Sequence, residues 1–172
     1  MRRIHWGRRG SGWRGAGAIG RGCFGGGNTG SRSNVIDWIT IASEGNATDF
    51  GDLTVARRLL SACASATRGC FGGGVTTTDT IDYITIATAG NATDFGNLTV
   101  ARSAPAACSS ATRGCFGGGN SGTATNVIDY ITIASTGNAT DFGNLTVARS
   151  APAACSSATR GCFGGGNSGT AT

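Results

Sequence analysis

Internal repetition constrains this chain more than any other feature. The string Arg-Gly-Cys-Phe-Gly-Gly-Gly occurs four times, with its aromatic residue at Phe24, Phe71, Phe116 and Phe163, spaced by 47, 45 and 47 residues. Between these strings lies a second recurring block, at residues 34–57, 80–102 and 126–149, whose last copy reads NVIDYITIASTGNATDFGNLTVAR. A fixed period of this size marks a stack of supersecondary units. Each such unit covers its apolar faces only against its neighbours. Length varies only in the polar stretch after the glycines, which places that stretch in a surface loop.

Each period predicts four short strands. In the third copy they fall at residues 106–108, 114–116, 127–133 and around 140–145, with residues 109–113 as a tight polar turn. Ser, Thr, Gly and Asn separate the strands, and these residues favour turns through positive φ or through local hydroxyl and amide hydrogen bonds. No segment keeps apolar residues at helical spacing over three turns, so the expected fold class is all-β. In the third strand Ile128 and Tyr130 share one face, and Val127, Ile131 and Ile133 share the other. A strand apolar on both faces lies between two layers. This accounts for a composition in which Leu, Ile, Val and Phe make up only 29 of 172 residues while Gly makes up 31. So low an apolar content suggests disorder in an ordinary chain, but here only 13% of residues are charged and the core is divided over repeated interfaces.

Charge is unevenly placed. Residues 1–32 carry seven Arg and no acid, whereas the rest of the chain has seven Arg against nine acids, a balance of 7 − 9 = −2. Residues 1–20 therefore read as a basic arm rich in Arg, Gly and Trp, either disordered or a degenerate repeat. Residues 21–172 form the repeat array, with units of about 25–71, 72–116 and 117–163. No run of 18 apolar residues is present, so no membrane-spanning helix is expected. The basic start lacks the apolar region of a signal peptide.

A four-stranded unit of this length, covered on both faces, resembles a propeller blade. More specifically, the residues resemble the kelch repeat: a Gly-Gly doublet closing one strand, a loop, a strand bearing Tyr, a turn, a fourth strand and an Arg before the next unit. Gly117, Gly118, Tyr130 and Arg149 fall in that order, as do Gly72, Gly73, Tyr83 and Arg102. In the first copy Gly25, Gly26, Trp38 and Arg57 do so, with Trp38 replacing the Tyr. The resemblance covers about residues 21–166. The Trp of the kelch fourth strand is absent, and Phe50, Phe95 and Phe142 stand nearby. Near-identity between copies is similar to the kelch-like arrays of phage virion and tail-fibre proteins. The resemblance implies kelch-like β-propeller blades in a half-propeller or open arc of about three units. Rings of this kind close with roughly four to eight blades, so self-association to close a ring is implied, unless the chain is a fragment of a longer propeller.

Most other motifs have structural readings. The glycine runs are not followed by Gly-Lys-Ser/Thr, and the chain has no Lys, which excludes a P-loop. Close backbone approach between strands explains them instead. Cys63/Cys70, Cys108/Cys115 and Cys155/Cys162 flank tight turns, where hairpin pairing sets them opposite one another. A zinc site lacks its usual spacing, and the expectation is reduced thiols used as small apolar residues. The Asn-x-Thr triplets at Asn46, Asn91, Asn97, Asn138 and Asn144 read as turns. The Asp-Phe-Gly triplets match a kinase magnesium motif in letters only, because the Lys and catalytic loop are missing. Asp37, Asp82 and Asp129 recur in the third strand, and Arg57, Arg102 and Arg149 follow the fourth. They are expected to bond one another or backbone between units, since a buried charge needs a partner.

Catalysis has little to draw on, and no enzyme activity, metal or cofactor is expected. The single His is His5, so the two-His, two-Tyr copper site of the kelch-bearing galactose oxidase family is not matched. The function implied is a binding or structural module, placed in a virion by the phage resemblance and in the cytoplasm without it. Its candidate contacts are Asn120, Ser121, Thr123 and Thr125 in one loop, and Thr136 and Asn138 in another. A host-surface glycan or protein is the partner implied. Arg8, Arg9, Trp13 and Arg14 offer an alternative, a nucleic-acid contact by phosphate pairing and base stacking, but a plain basic tail is the preferred reading and nucleic acid is not the expected partner.

Overall fold

The computed structural model describes residues 20–75 and 78–169. The basic arm at 1–19 and its proposed nucleic-acid contact lie outside the described residues. Among the described residues every regular element is a strand, and all pairing is antiparallel. The fold is all-β, and among the described residues no helix is long and apolar enough to cross a membrane.

The first sheet has three strands, β1 (Arg21–Gly25), β2 (Val35–Thr40) and β3 (Thr48–Asp52). The second has four, β4 (Ser61–Ala64), β5 (Arg68–Gly72), β6 (Thr80–Thr85) and β7 (Thr93–Asn97). The third repeats it with β8 (Ala106–Ser109), β9 (Arg113–Gly117), β10 (Val127–Thr132) and β11 (Thr140–Asn144). The fourth is the hairpin β12 (Ala153–Ser156) and β13 (Gly161–Gly164). Every sheet is a meander in chain order, so each strand pairs with the next in sequence. The four strands expected in the third copy lie at these places, with bounds differing by one or two residues.

The sheets stack face to face, and the core lies between them. One cluster joins Ile36, Phe50 and Leu53 of the first sheet to Phe71 and Ile84 of the second. The next joins Ile81, Phe95 and Leu98 of the second to Phe116, Ile131 and Ile133 of the third. The third strand thus contributes to two interfaces: in β6, Ile81 faces forward and Ile84 faces back, as alternation along a strand requires. The first strands run side by side, with β4 against β8 and β8 against β12.

Two features of the recurring sequence set this spacing. The Phe of each second strand is a knob that lies over a glycine of the sheet before it. A Cβ on Gly72 would stand 2.7 Å from the Phe116 ring, and one on Gly117 would stand 2.7 Å from Phe163. Only glycine admits a ring at that distance. The Asp-Phe-Gly triplet is a β-bulge. Asp129 pairs with Asp141 and Ile128 with Gly143, so Phe142 is the extra residue, and the shift recurs at Asp82 and Asp37. Bulges re-aim side chains. Here the bulged Phe meets the third-strand Tyr edge-on, with ring centroids 5.9 Å apart for Tyr83 and Phe95.

Candidate functional site

The recurring charges lock one sheet to the next. Arg57, in the linker after β3, reaches Asp82 on β6 at 2.9 Å, and Arg102 reaches Asp129 on β10 at 2.9 Å. Both pairs are buried. Each arginine also donates through Nη2 to the second-strand carbonyl beside it, Phe71 or Phe116, at 3.1 Å. Each aspartate accepts from a threonine two residues after the preceding sheet's last strand. Thr54 donates to Asp82 through its backbone N–H at 3.2 Å and its hydroxyl at 2.5 Å; Thr99 does the same for Asp129. Burial lowers the pKa of both arginines, and the facing carboxylate opposes that shift. Charges taken out of water need such partners, and the expected Asp–Arg bonding between units is present at these two junctions. The partner is the arginine of the preceding unit: Asp129 takes Arg102. Arg149 instead bonds the carbonyls of Val147 and Gly165, and among the described residues Asp37 has no ion pair.

The other motif residues serve the same junctions. Gly73 and Gly118 take φ of +72° and +67°, and a Cβ at either would stand 2.7 Å from the carbonyl oxygen of Arg102 or Arg149. The following amides, of Gly74 and Gly119, donate to those oxygens. Gly26 sits likewise beside the Arg57 carbonyl, and Gly25 lies under the Phe71 ring. Trp38, Tyr83 and Tyr130 each lie under a guanidinium, from Arg21, Arg68 and Arg113, at 4.1, 4.5 and 4.4 Å. Arg21 and Arg68 also donate to the next sheet, at the carbonyls of Ile86 and Ile133. Sequence reasoning did not single out these second-strand arginines. Their signal was present in the invariant Arg of the glycine string, one strand away from the aromatic position.

The candidate loop residues separate into two groups. Asn120, Ser121, Thr123 and Thr125 precede β10, whereas Thr136 and Asn138 follow it, so they lie at opposite rims of the sheet. On the first rim Ser121 and Thr123 are exposed. The Asn120 side chain accepts from Gly122 N–H at 2.8 Å and fixes the turn. Beside it run the linkers between sheets, which expose Val55, Val100 and Val147 as a column repeated from unit to unit. Missing this column was natural, since a single exposed Val carries no signal and only stacking aligns three of them. On the opposite rim Asn138 is already engaged: its side-chain oxygen accepts from Asn97 N–H at 3.1 Å, across the junction. Asn91 does the same for Asp52.

The paired cysteines face one another as expected, with Cys63 opposite Cys70, Cys108 opposite Cys115 and Cys155 opposite Cys162, and all are free. A hydrogen bond with Cys70 and burial push the Cys63 thiol well up. Burial, followed by Cys115, pushes Cys108 up to about 11. Thiols held protonated are poor nucleophiles and poor metal ligands. Among the described residues no group of three or more His, Cys, Asp or Glu is arranged to hold a metal ion. No family model matches the chain, and no curated protein matches it.

Proposed function

We propose that this chain is an arc of kelch-like propeller blades acting as a non-enzymatic binding or structural module of the phage virion or tail-fibre kind. The observation that carries the reading is the repetition of one rim. Four-stranded meanders stacked face to face, with first strands side by side, suit a propeller arc. They place the loop between the second and third strands on the same rim of each sheet. Loops on a rigid scaffold are where binding residues concentrate, and groups recurring in a row, here the linker valines Val55, Val100 and Val147, give avidity for a repetitive ligand. The rim that carries Asn120, Ser121, Thr123 and Thr125 offers hydroxyls and amides beside the methyls of Val100 and Val147. That chemistry fits a host-surface glycan, whose sugars present hydroxyls on one face and C–H groups on another.

The test is binding to an array of bacterial surface polysaccharides, using the full chain and a variant carrying Ser121→Ala, Thr123→Ala and Val147→Ala. Glycan capture that the variant loses is the expected result. Binding only to nucleic acid, abolished by deleting residues 1–20 and by moderate salt, would replace this reading with one based on the arm.

A further inference from the structure

The two ends of the stack expose opposite halves of a junction that the chain builds twice inside itself. At the front, Phe24 is 61% exposed where its equivalents Phe71 and Phe116 are 3% and 0%. Ile41 is exposed where its equivalent Ile133 is buried. Asp37 holds the place of Asp82 and Asp129, and among the described residues no arginine pairs with it. At the back of the third sheet, Phe142 is 53% exposed where Phe50 and Phe95 are each 3%. Arg149 holds the place of Arg57 and Arg102, and among the described residues no aspartate pairs with it. Phe142 borders a cleft of about 420 Å³, lined also by Ile128, Cys115 and Phe163, that opens between the third sheet and the terminal hairpin.

Together the two end sheets supply all four strand positions of a unit and duplicate the second, held by β1 in one and by β13 in the other. The first sheet holds the second, third and fourth positions, and among the described residues nothing pairs with the first-strand edge of β1. The terminal sheet holds the first and second positions, and among the described residues nothing pairs with the third-strand edge of β13. Unpaired strand edges are templates for further pairing.

We infer that a second copy of this chain docks head to tail, seating the front of its first sheet on the back of the third sheet, with Asp37 meeting Arg149. In that arrangement β12 pairs with the second copy's β1, and β13 gives way. The two strands share the Arg-Gly-Cys-Phe-Gly-Gly-Gly string, so Phe24 takes the seat of Phe163 over Gly117. The incoming third and fourth strands cover Ile128 and Phe142, and the Asp37 carboxylate completes Arg149 as Asp129 completes Arg102. The contact is heterologous, so it closes a ring if its rotation permits and otherwise extends as a filament. It rests on the two end faces and is independent of what the rim binds.

Sedimentation of the full chain over a concentration series tests this. Concentration-dependent dimers or longer species are expected. Asp37→Asn, and separately Phe24→Gln at an exposed position where folding has little at stake, should each weaken the contact. For Asp37→Asn the dissociation constant should rise by about 30-fold or more, as when one partner of a buried charge pair is lost. Asp37→Arg and Arg149→Asp should each be monomeric alone and associate when mixed. In the mixture one junction carries the exchanged pair and the next carries the native one. A wild-type chain that stays monomeric at its highest soluble concentration overturns the inference. So does a Phe24→Gln or Asp37→Asn chain that associates as tightly as wild type, or a mixture that fails to associate.

Discussion

Arg102 and Asp129 belong to different sheets, yet their side chains meet at 2.9 Å with both out of contact with water. The pair is held from both sides. Asp129 takes donors from Thr99, and Arg102 gives one to the Phe116 carbonyl. Nε and Nη1 of the same arginine find no protein acceptor. Such a pair contributes little net stability beyond what an apolar pair of equal volume would give, but breaking it strands a buried charge.

Asp129→Ala should therefore lower unfolding stability by about 3–5 kcal/mol, the usual cost of orphaning a buried charge. Joint replacement, Arg102→Met with Asp129→Leu, should cost clearly less than the single change. Arg149→Ala, at the equivalent but unpaired position, should stay within about 0.5 kcal/mol in dilute solution. Denaturant titration of the four proteins checks the ordering. A single variant as stable as wild type would show that the pair plays no part in joining the sheets.

Glycine spacing gives a second, paired expectation. Gly72→Ala puts a methyl 2.7 Å from the Phe116 ring, whereas Gly164, in the same motif position, has nothing within 4 Å. Overpacking of this sort costs about 1–3 kcal/mol. Thermal melts should show Gly72→Ala destabilised and Gly164→Ala unchanged. Equal melting temperatures would mean that the Phe knob does not set the sheet spacing.

How much of this was legible in the sequence depended on whether an effect stayed within one repeat. The strands of the third copy followed from turn residues and from the two-faced apolar pattern at residues 127–133. Cysteine opposition followed from hairpin symmetry around a short turn. The Asp–Arg pairing was foreseeable as a need, because a strand apolar on both faces buries its aspartate. Its offset was not, because only stacking shows that Asp129 meets Arg102 of the preceding unit and leaves Asp37 and Arg149 over. The bulge at Phe142 escaped notice because strand alternation at Asp-Phe-Gly looks regular until register is known. Loop residues 120–125 and 136–138 resembled one another in composition, and only the direction of β10 puts them on opposite rims.

Asn138 illustrates the consequence. It reads as a surface loop residue, but its amide oxygen caps Asn97 N–H across the junction. Asn138→Ala should cost about 0.5–1.5 kcal/mol, the net value of a typical hydrogen bond, and should leave ligand capture by the opposite rim unchanged. Asn46→Ala, the equivalent change in the first sheet, should be neutral. Parallel denaturation and binding assays separate these effects; a loss of binding without a loss of stability in Asn138→Ala would return that loop to the candidate site.

The thiols make the stack sensitive to high pH. Burial raises Cys108 from 9.0 to about 11. The folded state then binds this proton more tightly than the unfolded chain does. Stability from that difference is fully present below pH 9 and is lost as the pH climbs through 11. Wild type should lose stability over this window faster than Cys108→Ala, and the difference between their melting temperatures should shrink or reverse as the pH rises. At pH 8 a thiol reagent should modify the exposed Cys155 and Cys162 first and the buried Cys63 and Cys70 last, because the thiolate is the attacking form and needs access. Mass spectrometry of a labelling time course reads the order directly. Rapid modification of Cys63 would mean that the second and third sheets separate readily, and that the buried junction between them is not the most stable part of the array.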